Sequence, residues 1–282
     1  MNLRDLFPEA VVNQETGQGP EWLTLPLDGQ FIHFPLETLS QREQALLDLQ
    51  APQRAVQSVD EDSWYQFLVQ KKGNLPVKFE AVQWLYLEHV DPLSSELLDL
   101  FKGLLPHLTA LVETSSTRTV LVLDQTIPFE VEDLVQDILP TVESDFGLKL
   151  TIFFGNSWTK LQAEEMRQVF DSETQLFSDF VRFRGSEQTI SFAKMALWAR
   201  SGQRNLGAIP EKIRHYIDDS KDMVDIIEAM WASQTNLVQT AQKLFMHRNS
   251  LQYKLDKFHS LSGLNLKNLD DLAFCHLLIL NG

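Results

Sequence analysis

The chain has 282 residues, 44% of them hydrophobic and 22% charged, which predicts two or three folded domains that each bury a core. Its formal net charge is −15. Because phosphate binding needs Lys and Arg, this charge excludes a protein that coats nucleic acid without sequence preference. The single cysteine, Cys275, excludes an internal disulfide and a thiolate metal cluster, and it fits a reducing compartment.

The first residues lack the basic and apolar segments of a secretion signal, and no run of about 18 apolar residues occurs along the chain. We therefore expect a soluble, cytoplasmic protein without a membrane partner. The seven histidines include no pair at a spacing of four residues, which would suit a zinc site on a helix. We expect neither a metal ion nor a cofactor.

The first 75 residues are predicted to form a small αβ unit that opens with a β-hairpin. Two alternating apolar segments, 22–27 and 31–36, are joined at Asp28-Gly29. This dipeptide favours the tight turn that connects two antiparallel strands.

Two helices are predicted to complete this unit. Ser40 precedes Glu43 by three positions, ahead of an apolar pattern with helical spacing, which is typical of a capped helix; Pro52 ends it. A second short helix is predicted over 63–70. The segment 73–76, Gly-Asn-Leu-Pro, marks a boundary.

Residues 76–185 are predicted to form an α/β domain. Strand-like and helical patterns follow one another in the order strand, helix, hairpin, helix, strand, helix, which is typical of one sheet with helices packed against it. The predicted strands cover 82–90, 109–114, 119–124 and 148–154. The predicted helices cover 94–105, 130–146 and 161–177.

Residues 186–282 show helical patterns only and are predicted to form an all-α domain. The chain as a whole is therefore predicted to be an α+β multidomain protein. Its most informative segment is 236–262, which predicts a helix-turn-helix.

The first helix of this segment is predicted to begin at Asn236, a residue type that caps helix starts well. A tight turn over 245–247 then leads into the second helix, and Gly263 can end it. Apolar residues recur on one face of each helix at positions i, i+4 and i+7. These residues are Leu237, Ala241 and Leu244 in the first helix, and Leu251, Leu255 and Phe258 in the second.

The opposite face of the second helix is predicted to carry the DNA-binding residues. In a helix-turn-helix the second helix enters the major groove with its N-terminal residues toward the base edges. Arg suits guanine, Asn and Gln suit adenine, and Lys or Ser can hold phosphates. Helical spacing places Arg248 and Gln252 at the margin of this face, near the N-terminal end. The full set of candidates is Arg248, Asn249, Ser250, Gln252, Tyr253, Lys254 and Lys257.

The local charge agrees with this prediction. Residues 236–260 contain four cations and one anion, a net charge of +3, on an otherwise acidic chain. Such a patch favours site-specific over general binding. Periodicity alone also fits an ordinary antiparallel helix pair with a solvated polar face.

A resemblance favours the helix-turn-helix. The string LFMHRNSLQYKLDKF, residues 244–258, closely resembles the signature of the PucR/CdaR family of bacterial regulators, which typically contains L-[FY]-x-H-R-N-T-L-x-Y-R-L. A Gly-Leu pair at 263–264 and an apolar helix at 269–280 follow, as in that family. The resemblance implies a DNA-binding transcriptional regulator. Ser250 stands where Thr is typical and Lys254 where Arg is typical, so base preference is not carried over.

The family also implies a middle domain that resembles the diguanylate-cyclase (GGDEF) fold without its catalytic signature. In an active cyclase the hairpin turn supplies glycines and metal-binding carboxylates. Here the turn at 115–118 is Ser-Ser-Thr-Arg, and Glu88 and Asp91 near the first strand lack those partners. We therefore expect no catalytic residues and no enzyme.

Two further residues have plain structural interpretations. Cys275 lies in an apolar run beside His276 and is expected to be a buried core residue, and His247 is expected to cap the second helix. The sequence thus predicts a regulator that binds duplex DNA as a homodimer, or higher homo-oligomer, and responds to a small-molecule effector. The first alternative is a protein-interaction module that kept the fold without operator binding. A nucleotide cyclase ranks third, because its carboxylate turn is missing.

Overall fold

The computed structural model describes residues 11–13, 22–27, 30–35, 38, 61–105, 107–184 and 187–281. The chain divides into two compact units, Met1–Ser58 and Val59–Gly282. This division differs from the boundaries expected at residues 75 and 185. The three-domain layout stays a prediction.

The first unit contains a three-stranded antiparallel sheet. Its strands are β1 (Val11–Asn13), β2 (Trp22–Leu27) and β3 (Gln30–Pro35), in the order β1-β3-β2. Leu27 pairs with Gln30, so β2 and β3 form the predicted hairpin around two connecting residues. The helix predicted from Ser40 lies outside the described residues.

The second unit contains a larger sheet and ten helices among its described residues. Its strands are β4 (Ala81–Glu88), β5 (Leu108–Ser115), β6 (Arg118–Asp124), β7 (Thr151–Phe154), β8 (Trp158–Thr159) and β9 (Thr189–Ser191). Its helices are α1 (Glu61–Leu68), α2 (Ser95–Leu104), α3 (Val131–Phe146), α4 (Ala163–Arg184), α5 (Phe192–Ser201), α6 (Ile209–Asp218), α7 (Met223–Ala232), α8 (Leu237–Lys243), α9 (Arg248–Ser262) and α10 (Leu269–Leu280).

The strand order in this sheet is β5-β6-β4-β7-β9, and β8 pairs with the start of β4. The pairs are antiparallel except for β7 and β9, which are parallel. The element sequence from β4 to α4 follows the predicted order of strand, helix, hairpin, helix, strand and helix.

Side chains alternate between the two faces of the sheet along each strand. Both faces are buried because each carries apolar side chains that pack against helices. In β4, Leu85 and Leu87 contribute to a core shared with α2 and α3. Trp84 and Tyr86 contribute to the core on the other face, which is shared with α1, α4 and the C-terminal helices. The core on that face therefore continues from the sheet into the C-terminal helical region.

Three details of the prediction are wrong. Residues 186–282 are not all-α, because Thr189–Ser191 forms the edge strand β9. The strand β8 was not predicted, and α4 continues to Arg184 beyond the predicted end at Phe177. Strands of two or three residues are too short for an alternating pattern to identify them.

Candidate nucleic-acid interface

The first helix of the predicted helix-turn-helix begins at its expected cap. The Asn236 side-chain oxygen accepts hydrogen bonds from the main-chain N–H groups of Val238 and Gln239, both at 3.1 Å. Two donors that a helix start leaves unpaired are thereby satisfied. The predicted inner face is confirmed. Ala241 is buried, and Leu237 and Leu244 are partly buried and pack against the core.

The turn between α8 and α9 contains a strained and exposed aromatic residue. Phe245 has a positive φ of 52°, which an aromatic residue rarely adopts, and its side chain is 98% exposed. His247 then caps α9, because its ring Nδ1 accepts a hydrogen bond from the N–H of Asn249 at 3.2 Å. The capping role predicted for His247 is confirmed.

The two faces of α9 separate as predicted. Leu251 is 0% exposed, and Leu255 and Phe258 are each 1% exposed. The opposite face carries exposed side chains, and Arg248 is exposed at the margin of this face near the start of the helix. The residues on the face itself are Asn249, Ser250, Tyr253, Asp256 and Lys257. A buried apolar stripe behind a polar outer face leaves the outer face free to meet a partner.

Gln252 is half-buried and pairs at the surface with a residue one turn further along α9. Its Nε2 donates to both carboxylate oxygens of Asp256, at 2.8 and 2.9 Å. Asp256 also accepts from Lys267 at 3.0 Å, and these bonds lower the pKa of Asp256. The pair Gln252 and Asp256 is spaced i, i+4, so the sequence contained a signal for this contact.

Lys254 is also paired within the protein. Its Nζ lies 2.9 Å from a carboxylate oxygen of Asp222, just before α7, and the side chain is half-buried. The hydrogen bond from Lys254 lowers the pKa of Asp222. Their separation of 32 residues gave no sequence signal for the pair.

The end of α9 is anchored by the sheet. Asn156 Nδ2 donates to the carbonyl of Ser262 at 2.7 Å, and Thr159 Oγ1 donates to the carbonyl of Leu261 at 2.6 Å. Gly263 follows in the left-handed conformation, at φ 76°, as the predicted terminator. The last carbonyls of a helix lack partners within it, so these bonds fix where α9 ends.

A polar cavity of about 270 Å³ lies beside this anchor. Side chains from the strand ends and from α10 line it, among them Gln83, Gln125 and Asp271. Burial, with the neighbouring carboxylates of Asp270 and Glu132, raises the pKa of Asp271 to about 7. Burial also raises the pKa of Glu132.

Cys275 is fully buried in α10, and burial raises the pKa of its thiol. The core role predicted for it is confirmed.

Among the described residues, each helix is too short or too polar to cross a lipid bilayer.

Comparison with known proteins supports a helix-turn-helix in the same place. A family model for the PucR C-terminal helix-turn-helix domain matches residues 223–280, which span α7 to α10. A leucine-rich protein from Streptococcus dysgalactiae subsp. equisimilis is 37% identical over 280 residues, covering 99% of each chain. The chain belongs to the family of this streptococcal leucine-rich protein. It carries a PucR-type helix-turn-helix domain.

Two further proteins are similar to this chain at lower sequence identity. The uncharacterized protein YxkF from Bacillus subtilis (strain 168) is 20% identical over 280 residues, covering 95% of this chain and 93% of that protein. A solved structure of a regulator of polyketide synthase expression from Bifidobacterium adolescentis shares 13% identity, with a TM-score of 0.33. That comparison covers 78% of this chain and 89% of the regulator, and it is too distant to bear on fold or function.

Proposed function

We propose that the protein is a cytoplasmic transcriptional regulator that reads duplex DNA sequence with α9. The observation that carries this proposal is the division of α9 into a fully buried apolar stripe and an exposed polar face, with Asn249 on that face and Arg248 exposed at its margin near the start of the helix. Arg and Asn at the start of a second helix are placed as major-groove readers are. The match to the PucR helix-turn-helix domain supports the same function.

Of the seven predicted contact residues, we assign base reading to Arg248 and Asn249. Lys257 and Ser250 would hold phosphates, and Tyr253 lies on the same exposed face. Gln252 and Lys254 would have to give up their internal partners, Asp256 and Asp222, before they could contact DNA. Their contribution is therefore smaller.

The active form is proposed to be a homodimer. One module of this kind buries only about 600–1,000 Å² of protein surface on DNA, and tight specific complexes usually bury more. Two-fold symmetry would present two copies of α9 to successive major grooves, about 34 Å apart, and would require an inverted-repeat operator.

A small-molecule effector is proposed to act through the polar cavity beside Gly263. The cavity is lined both by strand ends of the sheet and by residues at the end of α9, so a ligand there would bear on the position of α9. A polar compound that raises the melting temperature and also changes DNA affinity would support this proposal. Effector compounds that stabilise the protein without any change in DNA affinity would contradict it.

The middle domain is proposed to be a GGDEF-like domain without enzymatic activity. Glu88, a carboxylate near the hairpin turn, forms an ion pair with Arg118 at 2.7 Å and accepts a hydrogen bond from Thr117. A carboxylate engaged in this way is poorly placed to bind metal ions. Incubation with GTP and Mg²⁺ should yield no cyclic dinucleotide, and turnover that copurified with the protein would refute this proposal.

The test of the main proposal is selection of duplex fragments from the source genome with the purified protein, followed by footprinting of the selected fragments. The expected result is a shared inverted repeat whose protection is lost at high salt, since cations on α9 would displace counterions from phosphates. Equal affinity for every duplex at physiological salt would contradict the proposal. It would favour the alternative of a protein-interaction module, which the modest charge of +3 over residues 236–260 would suit.

A further inference from the structure

A groove of about 800 Å³ runs along the exposed face of α9. One wall is formed by α9 itself, through Asn249, Tyr253 and Lys257. The other wall is formed by the end of α6 and the segment after it, including Lys221, and Lys160 after β8 also lines the groove. The groove therefore joins the proposed reading face to parts of the chain outside the helix-turn-helix.

Lysines dominate the charge of this groove. Five line it, and two of these are neutralised: Lys212 pairs with Glu165 at 2.9 Å, and Lys254 pairs with Asp222 at 2.9 Å. The remaining three are exposed and form no hydrogen bond or ion pair through their side chains with any residue that the structure describes: Lys160, Lys221 and Lys257.

The acidic residue that lines the groove is Asp219, and its carboxylate lies 3.5 Å from the ring of His215. Three unpaired ammonium groups therefore lie along one groove in a protein whose net charge is −15. Concentrated positive charge on an acidic body attracts a polyanion to one place on the surface. Hydroxyl groups of Ser220, Ser250 and Tyr253 line the same groove and can donate hydrogen bonds to phosphate oxygens.

We propose that this groove holds the phosphate backbone of the duplex whose major groove α9 enters, with Lys160, Lys221 and Lys257 as its phosphate-binding cations. The inference rests on the proposed function and extends it, because Lys160 and Lys221 lie outside residues 223–280. A strand flanking the major groove must pass beside the inserted helix, and this groove lies beside α9. A free phosphorylated molecule offers the same chemistry, but the exposure of the three lysines favours an extended backbone.

The experiment measures the affinity of the full chain for its selected duplex at several salt concentrations. Lys160→Gln and Lys221→Gln are each compared with wild type, and Lys149→Gln serves as the matched control. Lys149 is a lysine on the surface, paired with Glu143 at 3.3 Å and outside the groove, so this substitution changes the net charge equally. Melting temperatures establish that each variant folds.

The expected result is a decrease of about 0.9 in the slope of log affinity against log salt for each groove variant, the change for one lost phosphate contact. Sequence preference should stay unchanged, and Lys149→Gln should keep the wild-type slope. Wild-type slopes in folded groove variants would overturn the inference. Because wild-type protein would still select its operator in that case, the proposed function would stand.

A second arm distinguishes the two sources of phosphate. Tripolyphosphate is titrated into the free protein while its intrinsic tryptophan fluorescence is followed. We expect only weak binding at low salt, equal in wild type and in the Lys221→Gln variant. Tight binding that Lys160→Gln and Lys221→Gln both abolish would assign the groove to a free phosphorylated ligand and overturn the inference.

Discussion

The side-chain amide of Asn156 donates a hydrogen bond to the main-chain carbonyl of Ser262 at 2.7 Å, across 106 positions of the sequence. The same residue donates its main-chain N–H to the buried carboxyl of Glu173 at 3.0 Å. Asn156 therefore connects the end of the proposed reading helix to the packing between the sheet and α4. The position of α9 relative to the sheet depends on such bonds as well as on apolar packing.

Replacement of Asn156 by Ala should lower the free energy of unfolding by about 1–3 kcal/mol, because the buried carbonyl of Ser262 loses its donor. Urea denaturation measures this change. Asn281→Ala is the matched control, since Asn281 also donates to a helix carbonyl, that of Leu277, at 2.7 Å, but at an exposed site. An equal decrease in the free energy of unfolding in the two variants would show that the buried hydrogen bond at the end of α9 stabilises the protein no more than an exposed one.

Gly263→Ala should destabilise the protein by about 1–3 kcal/mol. Two effects contribute: alanine is strained in the left-handed backbone conformation, and its Cβ would be too close to neighbouring atoms. A Cβ at this position would lie 2.5 Å from both the Asn156 side-chain oxygen and the Ser157 carbonyl. Gly147→Ala separates the two effects, because Gly147 also has a positive φ, 63°, but open space around its Cβ position. Thermal melting should show the larger decrease in melting temperature for Gly263→Ala. A larger decrease for Gly147→Ala would contradict the close packing of Asn156 and Ser157 against Gly263.

Phe245→Asn should raise the free energy of unfolding by about 1 kcal/mol, because Asn tolerates the left-handed conformation better than Phe does. The Phe245 ring is 98% exposed, so little packing is lost. Phe245→Leu is the control, since Leu keeps the strain at φ 52°. If the Asn variant were no more stable than the Leu variant, strain in this turn would not limit stability.

Glu173 should make stability depend on pH. Its buried carboxyl accepts from Asn156, Trp158 and Tyr86, yet burial raises its pKa from 4.5 to about 8. Since the folded protein holds this proton more tightly than the unfolded chain, its stabilising contribution is complete below about pH 4.5 and is lost as the pH rises through about 8.

The measurement is urea denaturation between about pH 5 and pH 8, the range over which the stabilising contribution of Glu173 should be lost. Stability of the wild type should fall with pH, with a slope of at most about 1.4 kcal/mol per pH unit from this group. Glu173→Gln should flatten that dependence. Some fall of stability with pH should remain in Glu173→Gln, because the pKa of Asp271 is also raised, to about 7. The variant Asp271→Asn measures that remaining contribution. An unchanged slope in Glu173→Gln would show that Glu173 is ionised in the folded state.

Local signals in the sequence predicted local structure well. The cap at Asn236, the ring of His247 at the start of α9 and the left-handed Gly263 all act within a few residues of their partners. The buried stripe of α9 follows from helical spacing alone. The central elements of the site were therefore predictable from the residues.

Contacts between distant segments were not predictable in this way. Strand β9 has three residues, and its parallel partner β7 ends 35 residues before it begins. The pair between Lys254 and Asp222 joins residues 32 positions apart, and Lys160 reaches the groove from after β8. Periodicity reports which face of an element is buried, but not which other element covers it.

The measurement that tests the central claim most directly compares binding of wild type, Arg248→Ala, Asn249→Ala and Lys257→Ala to the selected operator and to a shuffled duplex. Asn249→Ala should reduce discrimination between the two by about 1–3 kcal/mol per half-site, whereas Lys257→Ala should weaken binding to both duplexes alike. If Asn249→Ala is folded and leaves both affinity and sequence preference unchanged, and Arg248→Ala does the same, then α9 is not the reading helix and the proposed function is contradicted.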